Sequence, residues 1–227
     1  MSYPKSPRKQ IQLDAHKVYR TQEIAPSVFT IEFEKTHLFL PGQVVAVSTK
    51  ANDEEPRLYS IASGVDKPFM RILFDINPMG QLTPQLAKLK AHDTIYVSKP
   101  IGKFIGDGQE AWWIATGTGV APFISMAESG LFENKTLLHG ARTLDMFYYP
   151  DLFSELLGNK YLRFCTSQQA PGIIAGRLTR FLKDRSDFAP HIKYYLCGSS
   201  QMVIDVREIL LEQKHVPMDN VVAEIYF

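Results

Sequence analysis

The sequence predicts two domains, an antiparallel β-barrel followed by an α/β domain with a doubly wound parallel sheet. Between about residues 18 and 98, apolar side chains recur with the period of two that β-strands show, and turn residues interrupt them. After a segment with several glycines, short apolar runs alternate with helix-like segments, as in parallel βαβ units. We therefore expect a flexible N-terminus at residues 1–10, a barrel domain at 11–105 and an α/β domain at 106–227.

The first half contains short predicted strands. Alternation is clearest in segments 29–33 and 70–76, where apolar residues alternate with polar ones such as Arg71 and Asp75. "GQVVAVSTK" and "TIYVSKP" resemble further strands, and one helical piece lies near "LTPQLAKLK". Closely spaced short strands of this kind favour a small antiparallel barrel.

The second half has a different pattern. Its predicted strands are "AWWIAT", "TLLHG", "YLRFCT", "KYYLCG" and "VVAEIYF", and helix-like segments cover 120–129, 144–157, 177–184 and 200–214. Open α/β sheets bind ligands at the carboxyl ends of their strands, near the point where the strand order reverses. We therefore look for a ligand site in the residues that follow each strand.

Composition excludes several classes of function. The chain of 227 residues carries 25 Lys and Arg against 24 Asp and Glu, which does not favour nucleic acid or an anionic membrane as a partner. Two cysteines, Cys165 and Cys197, are too few for an iron–sulfur cluster or a thiolate zinc site. No apolar run approaches the roughly 18 residues of a membrane span. We expect a monomeric cytoplasmic protein that holds no metal.

Two motifs point to bound anions. In "RLYS", Arg57 and Tyr59 share one face of a strand while Leu58 and Ser60 share the other, and a planar anionic ligand along this edge would meet several of these groups. "WWIATGTGVAP" leads from a strand through Gly117, Thr118 and Gly119 into a helix, an arrangement that lets a backbone approach a pyrophosphate. The alternatives are an amphipathic strand and an ordinary strand–turn–helix corner.

Weaker candidates follow other strands. Cys197 and Gly198 end one strand, before a helix that carries Met202, and a buried structural cysteine is the alternative. Arg142 and Arg177 lie at a strand end and a helix start, where a guanidinium suits a terminal phosphate or is simply solvated. "GQLTPQL" places Gly80 and Thr83 before a helix, as in a phosphate site or a capped helix.

Taken in order, these pieces resemble the ferredoxin–NADP reductase family, particularly its short bacterial type, the flavodoxin/ferredoxin reductases. "RLYS" matches the family's R-x-Y-S flavin motif, "GQLTPQL" its G-x-x-S/T-x-x-L segment and "GTGVAP" its nicotinamide-dinucleotide loop. "GAR", "GRLT", "LCGSSQMV" and "AEIYF" follow in the family's order. The resemblance covers about residues 12 to 227.

The resemblance implies an FAD site in the first half. Arg57 would hold the FAD pyrophosphate, Tyr59 would lie on one face of the isoalloxazine, and Ser60 would hydrogen-bond near flavin N5. Further FAD-binding positions would be Leu58, the flavin-bordering Leu73, Phe74, Asp75 and Ile76, and the loop residues Gly80, Gln81, Leu82 and Thr83. Tyr226 would cover the isoalloxazine, and Phe227 would lie against the adenine of FAD.

The resemblance also implies an NADP(H) site in the second half. Gly117, Thr118 and Gly119 would face the pyrophosphate or the nicotinamide, Cys197 would pack beside nicotinamide C4, and Glu224 would anchor the active site or exchange a proton there. The other NADP-binding positions would be Arg142, Ser167, Arg177, Gly198 and Met202. Where the family often shows Ser-Arg-Glu, this chain has Ser167 followed by Gln168, which weakens the implied preference for NADPH.

The implied reaction is hydride transfer between NADP(H) and flavin, followed by single-electron exchange with ferredoxin or flavodoxin. Ser60, Cys197, Glu224 and Tyr226 would be its catalytic residues. Two alternatives remain open at this point. One is an NAD(P)H-dependent free-flavin reductase or the reductase component of an oxygenase, and the other is a flavin-binding sensor without turnover.

Overall fold

A computed structural model of the protein describes residues 11–186 and 188–226. The predicted flexible N-terminus, residues 1–10, lies outside this range. The first half forms six strands and one short helix, α1 (Thr83–Leu86). The strands are β1 (Asp14–Ala25), β2 (Val28–Glu34), β3 (Val44–Ser48), β4 (Arg57–Ser60), β5 (Phe69–Asp75) and β6 (Thr94–Val97).

These six strands form an antiparallel sheet in the order β4-β3-β6-β1-β2-β5. A bridge between Ile61 and Ile72 joins the two edges, and the Ala62 amide donates to the Arg71 carbonyl at 2.7 Å. The sheet thereby closes into a barrel around an apolar core that includes Ile31, Phe33 and Ile95. Closure leaves β4 and β5 side by side, so "RLYS" lies next to the strand that the resemblance places beside the flavin.

The second half forms a parallel sheet with helices on both faces. Its strands are β7 (Ala111–Thr116), β8 (Lys135–Ala141), β9 (Tyr161–Cys165), β10 (Ile174–Ala175), β11 (Lys193–Ser199) and β12 (Val221–Tyr226). Its helices are α2 (Ala121–Glu128), α3 (Pro150–Leu157), α4 (Leu178–Asp184) and α5 (Ser200–Glu208). No described helix is long and apolar enough to cross a membrane.

The strand order β10-β9-β8-β7-β11-β12 reverses between β7 and β11. The chain builds outward from β7 to β10, then returns to the other side of β7, so the carboxyl ends of β7 and β11 flank the switch point. One apolar cluster, around Trp113 and Phe123, fills the side of the sheet that faces the barrel. A second, around Leu138 and Leu196, fills the other side under α4 and α5.

The structure differs from the sequence-based elements in three places. The predicted helix 144–157 is interrupted, because Pro150 disfavours helical geometry in the preceding residue and Tyr149 takes a left-handed conformation with φ 55°. The two-residue strand β10 is too short for a pattern to reveal. Strand β5 buries both faces from Met70 to Phe74, because its second face packs against the α/β half.

The predicted boundary near residue 105 falls between β6 and β7. The joining segment is anchored to both halves, since the Gly106 amide donates to the Pro41 carbonyl at 3.1 Å and the Tyr195 hydroxyl donates to the Ile105 carbonyl at 3.0 Å. The assignment of one ligand to each domain stays a prediction.

Candidate functional site

A cavity of about 480 Å³ lies across the carboxyl ends of the parallel strands. We call it the strand-end pocket. Residues that follow β7, β8, β9 and β11 line it, as expected for ligands at the switch point. The sequence-predicted residues in its wall are Asp75, Gly117, Thr118, Arg142, Arg177, Gly198 and Met202. Asp75 comes from the barrel, so the pocket touches both halves of the molecule.

Three glycines at the ends of β7 and β11 have different roles, and two of them, Gly117 and Gly198, line the pocket. Gly117 has φ 56° and no heavy atom within 4 Å of where a Cβ would lie, so its backbone is open to a ligand. A Cβ on Gly198 would lie 2.4 Å from Thr116 Oγ1, and one on Gly119 would lie 2.4 Å from the Cys197 carbonyl oxygen. Gly198 and Gly119 thus allow the β7 and β11 ends to pack closely, whereas Gly117 leaves space for a phosphate to approach.

The cationic wall consists of Arg142 and Arg177, both exposed. Ser167 and Gln168 do not line the pocket. The Ser167 amide donates to the Arg142 carbonyl at 3.0 Å, and Gln168 Oε1 accepts from the Leu144 amide at 2.6 Å. Both residues therefore tie the loops after β8 and β9 together.

The predicted flavin edge is formed by β4. The Arg57 side chain is 63% exposed and Leu58 is also exposed, while Tyr59 is half-buried and meets the Phe74 ring edge-on at 6.1 Å. Burial, followed by the charge of Asp75, raises the pKa of Tyr59 to about 12. A neutral aromatic ring suits contact with a flavin, and an exposed guanidinium beside it suits the flavin's pyrophosphate.

The other predicted flavin residues lie on β5 and the loop that follows it. Leu73 and Phe74 are buried, Asp75 is exposed and Ile76 is partly exposed. Gly80 and Leu82 are partly exposed and Gln81 is exposed. Thr83 Oγ1 accepts from the Asn77 amide at 2.9 Å, so Thr83 closes the loop and Leu82 occupies the position before α1.

The two halves meet at a side-chain pair. Ser60 Oγ donates to Glu224 Oε2 at 2.8 Å, and Ser60 is only 1% exposed. Glu224 lies opposite Cys197 in the β11–β12 register, and Cys197 is fully buried. Burial raises the pKa of Glu224, and the hydrogen bond from Ser60 opposes this effect. The structure thus brings together three of the four residues predicted as catalytic.

The fourth, Tyr226, ends β12, and its backbone pairs with Ser199. Phe227 lies outside the described residues, so the predicted stacking of both aromatic residues stays a prediction. Among the described residues, no three His, Cys, Asp or Glu side chains are grouped as a metal site requires.

The sequence motifs did not identify some of the residues that line the pocket. Tyr148, Gln201 and Asp205 also line the cavity, and Gln201 Nε2 donates to Asp205 Oδ1 at 2.6 Å. Burial, followed by Asp75, raises the pKa of Tyr148 to about 12. Gln201 and Asp205 lie one turn apart on α5, directly after a strand end. This position in the sequence could have identified them as pocket residues. Tyr148 carries no such signal, because it reaches the pocket through an irregular loop.

Comparisons with known proteins agree with this geometry. Residues 113–208 match the oxidoreductase NAD-binding domain family. Flavodoxin/ferredoxin–NADP reductase of Escherichia coli K12 is 28% identical over 217 residues, which cover 84% of this chain and 87% of that protein. The chain is similar to flavodoxin/ferredoxin–NADP reductases over most of its length. The predicted resemblance to this family is thereby confirmed, and so is the oxidoreductase class.

Two further known proteins are similar to this chain. A crystal structure of a ferredoxin NADP⁺ reductase from Neisseria gonorrhoeae, with bound FAD and NADP, superimposes with a TM-score of 0.86 at 19% identity, covering 96% of this chain and all of that one. This likeness confirms the two-domain reductase fold. A probable electron transfer subunit of dihydroorotate dehydrogenase B from Pyrococcus furiosus is 26% identical, over 85% of this chain and 73% of that protein.

Proposed function

We propose that the protein is an FAD-dependent ferredoxin/flavodoxin–NADP(H) oxidoreductase. The observation that carries the proposal is the hydrogen bond between Ser60, at the end of the flavin-edge strand, and Glu224, which lies opposite Cys197 in the β11–β12 register. It ties the flavin edge to β11, whose last residues line the strand-end pocket, and a hydride transfer between two bound cofactors requires that their sites be adjacent. FAD, when bound, would accept a hydride from NADPH and pass the two electrons on one at a time.

Flavin would be held by the barrel. Arg57 is free to reach a pyrophosphate because its nearest carboxylate, Glu55, lies 3.9 Å away on an exposed surface. Tyr59 offers a ring surface, and the loop around Gln81, Leu82 and Thr83 offers backbone amides. The second phosphate-binding loop favours the dinucleotide FAD over FMN.

NADP(H) would be held by the strand-end pocket. Gly117 and Thr118 lie where a pyrophosphate meets open backbone, and Arg142 and Arg177 suit a terminal phosphate. Because Gln168 takes the place of a family arginine and is bound to the Leu144 amide, these two arginines carry the preference for NADPH.

The residues around the junction have distinct tasks. Burial raises the pKa of Glu224, and Ser60 fixes its carboxyl group by donating to Oε2. Cys197 supports the same corner from within the core and keeps water out. These groups orient the reacting atoms and exclude solvent, while the cofactor supplies the redox chemistry.

Ferredoxin or flavodoxin is the proposed electron partner, because the E. coli relative is named for both carriers. The protein should then reduce a low-potential ferredoxin or flavodoxin with NADPH. A free-flavin reductase would instead release reduced flavin. A sensor would bind flavin whose spectrum does not bleach with NADPH.

The test is anaerobic stopped-flow reduction of the purified protein, with NADPH and NADH compared. We expect NADPH to bleach the bound flavin faster than NADH does. Chromatography of the heat-released flavin should show FAD. Arg57→Ala should lose flavin content. Release of FMN alone, or no bleaching with either nucleotide, would overturn the proposal.

A further inference from the structure

Arg71 is a charged residue buried between the two halves. It is 8% exposed, although it lies on β5 among apolar residues. Its Nε and Nη2 atoms both lie 3.0 Å from Glu32 Oε1 on β2, and Nη1 donates to Glu128 Oε1 at 3.0 Å. Glu32 belongs to the barrel and Glu128 to the α/β half. A buried guanidinium is tolerated because both carboxylates pair with it.

Glu128 also binds the barrel through its second oxygen. Its Oε2 accepts from the Gly64 amide at 2.9 Å, and the neighbouring Ser129 Oγ accepts from the Val65 amide at 3.0 Å. A Cβ on Gly64 would lie 2.7 Å from the Glu128 carbonyl oxygen, so this close approach requires glycine. We call Glu32, Arg71 and Glu128, with the 62–65 backbone, the interdomain clamp.

A third contact comes from the loop before α3. The Arg71 guanidinium lies 5.6 Å from the centre of the Tyr149 ring, on the α/β half, and 5.2 Å from that of Phe69 on the barrel. Tyr149 has a left-handed backbone, with φ 55°, which an ordinary side chain adopts only when its surroundings hold it. Arg71 is therefore contacted from both halves on several sides.

Helix α2 connects this clamp to the strand-end pocket. Glu128 is its last residue, and the turn Gly117–Val120 leads directly into its first. Eight helical residues span about 12 Å, and residues 121–127 are all buried, so the helix moves as one rigid piece. The clamp at one end therefore sets where the glycine turn at the other end lies relative to the barrel.

We propose that Arg71 and Glu128 are positioning residues, which hold the glycine turn and its nucleotide at a fixed distance from the flavin-edge strand. This inference rests on the proposed function. Since the nucleotide pocket lies almost entirely in the α/β half, loss of the clamp should leave nucleotide binding intact. Hydride transfer should suffer, because misplacement by about 1 Å lowers such rates by roughly a hundredfold.

The main test variant is Glu128→Gln, which removes the charge and keeps an oxygen that can accept from Gly64. Arg71→Lys is the second variant, since an ammonium keeps the charge but cannot reach both carboxylates and the Ala62 carbonyl as a fork does. Glu155→Gln, an exposed substitution on α3, is the matched control.

Five quantities are measured on the flavin-loaded protein: flavin content, the dissociation constant for NADP⁺, the rate of a single anaerobic hydride transfer from NADPH, the rate of light-driven flavin reduction, and hydrogen exchange of the Gly64 and Val65 amides. For both clamp variants we expect unchanged flavin content and NADP⁺ affinity within twofold of the parent. Hydride transfer should slow at least tenfold, with faster exchange at residues 64–65. Light-driven flavin reduction, which needs no nucleotide, should keep its rate.

The outcomes are separable. If the parent protein is not reduced by NADPH, the proposed function fails and this inference fails with it. If the parent is reduced and both variants transfer hydride at the parent rate, the clamp has no positioning role, whatever the exchange data show. A parallel loss of NADP⁺ affinity, flavin content and rate would also overturn the inference, because it indicates general loosening.

Discussion

The two ends of strand β8 carry cations in opposite situations. At the amino end, Lys135 is buried, and its Nζ donates to the Gln109 and Glu133 carbonyls. At the carboxyl end, Arg142 follows the strand, is exposed and lines the strand-end pocket. Between them His139 is fully buried, with Nδ1 3.0 Å from the Tyr161 hydroxyl. In a parallel sheet, the amino end is thus committed to structure, and the carboxyl end is left for a ligand.

Along β8, the largest expected effect is the loss of folding stability that His139 causes as the pH falls. Burial, followed by the charge of Arg163, lowers the pKa of His139 from 6.5 to about 3. Below pH 6.5 the unfolded chain binds a proton that the folded protein excludes. Stability is therefore complete above pH 6.5 and is lost as pH falls toward 3, at about 1.4 kcal/mol per pH unit.

Urea unfolding between pH 7.5 and 4.5 measures this effect. His139→Phe should lose less stability over that range than the parent, by about 2–3 kcal/mol. His191→Gln, at an exposed position, should follow the parent curve. Equal pH slopes for the parent and His139→Phe would show that His139 binds its proton equally well in the folded and unfolded protein, which would contradict the prediction.

The carboxyl end should affect nucleotide choice and not stability. Arg142→Ala and Arg177→Ala should each raise the KM for NADPH by about tenfold to a hundredfold, since a charge-assisted hydrogen bond contributes roughly 1.5–3 kcal/mol. The KM for NADH and the unfolding free energy should stay near the parent values. Steady-state kinetics with both nucleotides decides. Equal losses with NADH would make both arginines structural.

A substitution at the amino end of β8 should change stability and leave nucleotide choice unchanged. Lys135→Met removes the buried donor to the Gln109 and Glu133 carbonyls and should lower the unfolding free energy by about 1–3 kcal/mol, with the KM for NADPH unchanged. Lys193→Met is the control, because Lys193 pairs with Asp107 at 2.8 Å but its side chain is 41% exposed, and we expect less than about 1 kcal/mol. A KM effect at Lys135 would contradict the division between the two ends.

The smallest effect concerns Tyr226, at the carboxyl end of β12. If its ring covers the flavin, it competes with nicotinamide for one surface, and stacking contributes about 0.5–1.5 kcal/mol beyond burial. Tyr226→Ser should therefore bind NADP⁺ about two- to tenfold more tightly and react better with NADH. Removing Phe227 should mainly loosen FAD. Titration with NADP⁺ measures the first effect, and an unchanged difference spectrum with intact flavin content would assign both residues to ordinary packing.

The sequence predicted the carboxyl end of the sheet better than the amino end. Arg142, Gly117 and Gly198 follow apolar runs, and a residue after a parallel strand has one expected location. Lys135 and Arg71 gave no signal, because a lone cation in a pattern indicates an exposed position. Their partners come from distant segments of the chain, and no local periodicity contains that information.

The positions that the resemblance supplied, Glu224 and Ser167, show a related limit. The resemblance assigned Ser60 and Glu224 separately to the active site, and in the structure a direct hydrogen bond joins these two residues. It also implied Ser167 as an NADP-binding position, which stays a prediction; this residue does not line the strand-end pocket, and its amide donates to the Arg142 carbonyl. A family motif specifies the type of residue, whereas the loop conformation specifies where the side chain points.

The Ser60–Glu224 hydrogen bond also bears on the order in which the molecule assembles. Its partners are separated by 164 positions, and Glu224 lies on β12, an edge strand that pairs with β11. Contacts between such distant segments form late, because closing a long loop costs entropy before any contact compensates it. The barrel can therefore close first through its own nearby strands. The junction between the two sites is completed only when β12 joins the sheet, so a nascent or partly folded chain carries each half-site without the bond that links them.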